Sequence, residues 1–250
     1  MRKYLILTTA LAALIAVSVA GIATGANKPV TVEVGNLVFT FNGGFSPTKL
    51  PKKTLAPISL NASGKIATKD GSHPPALKET IVETDKNGAI NVKGIPVCKS
   101  GQLQSRDTKA AEKVCGKSII GTGQTTVEVQ FPEQKPIDVD SKLLVMNGGF
   151  KGGTTTLFIH AYFSAPVTGA IVTTLKIKRV HNGRYGLKTV ATIPKIAGGS
   201  GSVKDFNLTI NKKGVLTAKC PDGKLQAKAT AVFSDGTKAS AGIIRTCTGK

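Results

Sequence analysis

Tryptophan is absent from the 250-residue chain and tyrosine occurs only three times, so platforms for stacking single-stranded bases are scarce. Arginine stands only at positions 2, 106, 179, 184 and 245. Bidentate recognition of phosphates and bases favours arginine, whereas lysine acts as a hydrated point charge; nucleic acid is not an expected partner. The chain also lacks a G-x-S-x-G elbow, an H-E-x-x-H pair and a P-loop, the short motifs that would announce a nucleophile, a zinc site or a nucleotide site. We therefore expect no catalytic residue, no metal ion and no cofactor. Cysteine occurs four times, spaced C-x16-C and C-x26-C, and neither spacing matches the C-x2-C type of a structural zinc site.

What is present begins with an export signal. Arg2 and Lys3 precede an almost unbroken apolar run from Leu5 to Val17, and small residues then crowd the segment from Ala20 to Ala26. This order of charge, apolar core and small residues is that of a secretory signal peptide cleaved after Ala20 to Ala26. No cysteine lies near these positions, so lipid attachment is not expected. An uncleaved anchor is the competing reading, because the run from Tyr4 to Ala23 approaches the twenty or so apolar residues that span a bilayer. No later segment is apolar enough to do so. Residues 27–250 are then a secreted β domain, with a possible subdivision at the glycine-serine stretch 197–202.

In that domain, short runs of alternating apolar and polar residues are bounded by Gly, Asn, Asp and Pro, a pattern of many short strands. The fold class we expect is all-β, with sandwich-like antiparallel sheets and one short α-helix at about 105–115. Strands are expected in Thr31 to Phe41 and at 78–84 and 89–93, the latter two joined as a hairpin by Asp85-Lys-Asn-Gly88. Val127, Val129 and Phe131 alternate with polar residues. The most apolar runs, 154–163 and 170–180, read as central strands, and 205–210, 215–220, 224–233 and 238–247 complete the series. If the last three paired in order, Cys220 and Cys247 would lie two strand spacings apart, about 9.6 Å, beyond the reach of a disulfide. Strand 215–220 is therefore expected to prolong the sheet that contains 205–210.

The helix is read from Leu103, Ala110, Ala111, Val114 and Cys115 on one face, with Ser105 as N-cap, Asp107 in the first turn, Lys113 in the last and Gly116 at C′. About ten residues of helix are marginal alone. Exported thiols are usually oxidised, so Cys98, Cys115, Cys220 and Cys247 are expected in disulfides. Four cysteines allow three pairings; locality favours Cys98–Cys115, which would staple the helix to a sheet, and Cys220–Cys247.

The stretches Gly94-Ile-Pro-Val-Cys98 through Ile119-Ile-Gly-Thr-Gly123, Thr217-Ala-Lys-Cys-Pro-Asp-Gly-Lys224 with Cys247, and Ser46-Pro-Thr-Lys-Leu-Pro-Lys-Lys53 resemble blocks in a family of uncharacterised secreted proteins of high-G+C Gram-positive bacteria, chiefly Thermoleophilia of the Solirubrobacter type. The resemblance implies export and brings no activity with it. It also implies that Gly121-Thr-Gly123 is a structural turn.

Formal charge is +20 and falls by two without Arg2 and Lys3. The densest basic patches are Lys49, Lys52 and Lys53, then Lys176, Lys178 and Arg179, then Lys212-Lys213. These suggest a non-enzymatic secreted or envelope-associated protein that contacts anionic wall polymers or acidic polysaccharide electrostatically. A secreted carbohydrate-active hydrolase is an alternative, with Glu79, Glu83 or Asp85 as the acids, since paired carboxylates perform glycoside hydrolysis. A purely structural surface protein is another. Asp138 and Asp140 also share a strand face, and His160 shares one with Phe158 and Tyr162, while His73 and His181 fall in loops. Asn42-Gly-Gly-Phe45 recurs as Asn147-Gly-Gly-Phe150.

Overall fold

The computed structural model describes residues 20–24 and 28–249. Apart from 20–24, the expected signal peptide lies outside the described residues. In chain order the strands are β1 (Ala20–Thr24), β2 (Val30–Val34), β3 (Leu37–Ser46), β4 (Lys49–Leu50), β5 (Ala56–Thr68), β6 (Leu77–Asp85) and β7 (Gly88–Ile90). Helix α1 (Thr108–Cys115) precedes β8 (Ile119–Val129), β9 (Ile137–Lys151), β10 (Thr154–Phe163), β11 (Gly169–Asn182) and β12 (Tyr185–Thr192). Then follow β13 (Gly201–Ile210), β14 (Leu216–Ala218), β15 (Lys224–Phe233), β16 (Lys238–Thr246) and β17 (Thr248–Gly249).

Among the described residues the fold is all-β with one short α-helix, as expected, and the layers belong to one sheet that rolls up. Hydrogen-bonded neighbours run β2, β3, β5, β13, β8, β9, β10, β11, β12, β6, β15, β16, β1. Every pairing in this series is antiparallel except β1 against β16. Strands β1 and β16 then come up against β2 without a ladder, so the barrel is nearly closed.

Alternation decides what faces inward, since successive side chains of a strand point to opposite faces. Odd positions of β10, β11 and β12 (Leu157 and Ile159, Leu175 and Ile177, Leu187 and Ala191) line the interior together with even positions of β6 and β5. The outer wall carries Lys176 and Lys178 on β11, Lys188 on β12, Glu83 on β6 and Lys228 on β15. A barrel that spans a membrane has the reverse polarity, an apolar outer band around a polar interior. Among the described residues no helix is long and apolar enough to cross a membrane.

Several local expectations are corrected. Strand β6 does not form a hairpin with β7; it pairs with β12 and β15, while β7 pairs with β14. Gly121 and Gly123 form no turn and lie inside β8. A Cβ on them would sit 2.2 Å from Thr209 O and 1.9 Å from Asn207 O, so the close approach of β13 requires glycine there. The helix is capped by Asp107, whose carboxylate accepts from the Ala110 amide at 2.7 Å, and Ser105 instead takes a positive φ of 61°. Gly116 stays right-handed and leads into a 3-10 turn.

Both local disulfides form, Cys98–Cys115 with Cα atoms 5.5 Å apart and Cys220–Cys247 with Cα atoms 6.1 Å apart. The first holds α1 and Leu103 over Leu144, Met146 and Phe158 on the outside of β9 and β10. The second becomes possible because β14 resumes pairing with β5 at 56–58, just beyond Leu60 where β13 leaves it. That continuation is the one expected for 215–220.

Candidate functional site

The barrel interior is not filled. A hollow of about 350 Å³ runs between the walls, within the range of about 300–1,000 Å³ typical of small-molecule pockets. Ile171, Thr173 and Leu175 on β11, Ala191 on β12, and Leu208 and Ile210 on β13 point into it yet remain only half-buried. Their exposure is to the hollow, and almost all of it is carbon. A barrel wider than the narrowest eight-stranded kind has more interior than medium-sized side chains can fill, which is how such folds come to hold ligands.

The polar residues of the lining are mostly threonines, with Asn61, Gln226 and two charged side chains beside them. Thr80 and Thr84 on β6, Thr173 on β11 and Thr189 on β12 place hydroxyls on the wall. The charged groups, Asp85 and Arg245, are consumed by the wall itself. Asp85 Oδ1 accepts from the backbone and side-chain nitrogens of Asn87 at 3.0 and 2.9 Å, and Oδ2 accepts from Arg184 Nε at 2.6 Å and the Gln226 amide at 3.1 Å. Arg184 also binds Asp222, and these hydrogen bonds, chiefly the one to Asp222, raise its pKa above the ordinary value while lowering that of Asp222. Arg245 donates to the carbonyls of Gly43, Ile244 and Lys28 and to Asn42 Oδ1. Burial pushes its guanidinium below the ordinary pKa.

The two ends of the barrel are closed differently. At one end, where β5 and β15 begin, the connections leaving β6 and β13 cross the opening as β7 and β14, which extend the sheet from β5. Val92 and Val215 are buried beneath them, and Cys220–Cys247 fixes the corner. At the other end two straps, 69–76 and 193–200, pass between strands that are not neighbours. They bring Leu77 and Ile196 into the wall of the hollow.

Charge follows the same axis. At the first end the connections 46–56, 86–93 and 211–224 carry Lys49, Lys52, Lys53, Lys86, Lys93, Lys212, Lys213, Lys219 and Lys224 against one carboxylate, Asp222. At the strapped end, Lys69, Lys135 and Lys195 in the connections are matched by Asp70, Glu133 and Asp235. Of the three sequence-expected patches, Lys49, Lys52 and Lys53 and then Lys176, Lys178 and Arg179 are all exposed and lie toward the basic end, but on parts of the ring that are not neighbours. Lys178 stands directly opposite Lys188 across the β11–β12 ladder, a like-charge pairing that costs stability unless an anion intervenes.

The acids proposed for hydrolysis are not gathered around a cleft. Glu83 faces outward between Lys188 and Lys228 and accepts from Asn182, Glu79 shares that outer face, and Asp85 is engaged at the barrel end. Asp138 pairs with Lys204, whose pKa it raises, and Asp140 accepts from Thr126. His160 is fully buried beneath the stapled helix. Its Nε2 donates to the Arg106 carbonyl at 2.9 Å, which leaves Nδ1 without a proton and without a partner. Burial lowers its pKa, against the raising effects of the Arg106 carbonyl and Asp107.

One constellation gives no sign in the sequence. Ser202 Oγ lies 3.1 Å from His73 Nε2, and His73 Nδ1 lies 2.7 Å from Glu128 Oε1. The order is that of a nucleophilic triad, but Ser202 is 1% exposed and its Oγ is 2.6 Å from the Pro74 carbonyl. A carbonyl has no proton to give, so the serine proton is committed to Pro74. The hydroxyl therefore offers His73 a lone pair. The members come from positions 73, 128 and 202, too far apart for any spacing to reveal them.

No family model matches the chain, and neither does any curated protein or solved structure.

Proposed function

We propose that the protein is a secreted, non-enzymatic barrel that binds an uncharged, lipid-like molecule in its interior. The observation that carries this reading is the hollow of about 350 Å³, whose lining is half-exposed hydrocarbon with threonine hydroxyls and no uncommitted charge. Transfer of apolar surface out of water is worth about 25 cal/mol per Å², so an apolar guest gains by filling it. Charged headgroups are disfavoured, since Asp85 is saturated by the wall and Arg245 already donates to carbonyls and Asn42. Two disulfides fit an oxidising, extracellular destination. Titration with N-phenyl-1-naphthylamine, which fluoresces in apolar surroundings, tests the reading: one saturable site per chain supports it, and a linear, non-saturating signal rejects it.

A second reading concerns the outer surface, and the lysine-rich end favours it. We propose that this end attaches the barrel to anionic wall polymers or acidic polysaccharide, leaving the strapped end outward. Long-range attraction of this kind is screened by salt. Sedimentation with isolated cell walls across a salt series checks it; binding that persists unchanged at high salt, or no binding at low salt, contradicts it.

A further inference from the structure

We infer that the strap 69–76 is the gate of the hollow, and that Ser202, His73 and Glu128 form the latch that holds it shut. The inference rests on the ligand-binding reading and adds where and how the guest passes.

The path of the strap supports this role. Strand β5 ends beside β3, and the Lys69 amide still bonds to Asn36 O. The turn at 69–72 is fixed there by Asp70, which accepts from the Ser72 amide at 3.0 Å. The chain next reaches the rim formed by β8 and β13, where Glu128 and Ser202 stand opposite one another across the ladder. His73 contacts both, and Pro74 O accepts from Ser202. From there Pro74, Pro75 and Ala76 cross to Leu77 at the start of β6, a strand whose neighbours are β12 and β15. Leu77 and Phe233 are buried where the strap lands, and the Ser234 amide donates to Ala76 O.

The contrast between the ends gives the direction. The basic end is closed by backbone ladders to β5 and by a covalent bond, which open only if the sheet itself separates. The strapped end is held at its middle by side chains. Proline at 74 and 75 cannot donate backbone hydrogen bonds, so Ser202 and His73 supply the ties that a ladder would otherwise provide. Breaking them releases the strap without disturbing a strand. Lys204 steadies the latch from the other side, with Nζ 3.2 Å from Glu128 and 2.8 Å from Asp138.

Stopped-flow uptake and release of N-phenyl-1-naphthylamine, measured on the full chain and its variants, tests the gate. Removing latch bonds lowers the barrier without changing the filled or empty end states. Ser202→Ala and His73→Gln should each raise both rates by roughly tenfold and leave affinity within about twofold. The Ser234 amide should lose hydrogen-exchange protection in the same variants. Val215→Ala, which loosens the opposite end, should leave the rates unchanged. Faster exchange in Val215→Ala but not in the latch variants would overturn the gate, as would unchanged rates in both latch variants. Labelling of Ser202 by a fluorophosphonate would also overturn it, because the hydroxyl would then be a nucleophile and not a tie. Absence of saturable uptake in every form would overturn the ligand-binding reading and the gate together, whereas uptake with unaltered latch kinetics overturns the gate alone.

Discussion

At the scale of single residues, His160 shows how burial converts an ionisable side chain into a pH-dependent stability element. Its folded-state pKa is lowered from the ordinary 6.5 by desolvation. Acidification therefore protonates the unfolded chain first. The His160 contribution is complete above about pH 6.5 and is lost as pH falls below that value toward the folded-state pKa, at no more than about 1.4 kcal/mol per pH unit. Denaturation midpoints at pH 7.5 and pH 5 should differ more for the native chain than for His160→Leu; equal differences would contradict the assignment. Inside the barrel, Ala191 is the complementary case. A phenyl group there occupies part of the hollow without meeting a charged group, so Ala191→Phe should weaken N-phenyl-1-naphthylamine binding by about tenfold or more while the melting temperature stays within a few degrees, as read by fluorescence titration and circular dichroism.

At the scale of elements, the stapled helix is the plainest test. Helix α1 has eight residues, too few to persist alone, and only Ala111 and Cys115 of it are buried. Replacing Cys98 and Cys115 by serine should cost about 3 kcal/mol and expose the amides of 98–118 to exchange while β10 and β11 remain protected. Loss of Asp107 should cost about 1 kcal/mol through its cap, whereas Ser105→Ala should cost little. The strands 154–163 and 170–180 and the two disulfides were legible in the sequence because alternation and short separations are local signals. The partners of β6 were not. Asp85-Lys-Asn-Gly88 has every local mark of a hairpin turn, but β6 finds β12 and β15 a hundred or more residues downstream, where no turn residue can announce them. Gly121 and Gly123 misled for the same reason: their need is set by the backbone of β13. The basic patches were legible as patches, but not their separation around the ring. The His73, Glu128 and Ser202 contact and the hollow itself were illegible, since both arise only when the sheet closes.

At the scale of the whole molecule, polarity is arranged twice. Across the wall, lysine and glutamate face out while leucine, isoleucine and alanine, with several threonines, face in; along the axis, the lysine-rich connections gather at one end. The axial arrangement predicts that reversing Lys49, Lys52 and Lys53 to glutamate weakens sedimentation with cell walls and flattens its salt dependence, with N-phenyl-1-naphthylamine affinity unchanged. The transverse arrangement makes the interior the place where a guest resides. The most direct measurement is a methyl-labelled NMR titration with an uncharged fatty alcohol such as 1-dodecanol. Saturable shifts in the methyls of Ile171, Leu175 and Leu208, with those of the outward-facing Ile81, Val190 and Ile244 unmoved, are the result that an interior site predicts. Shifts confined to the outward-facing methyls, or none at all up to the solubility of the alcohol, would contradict it.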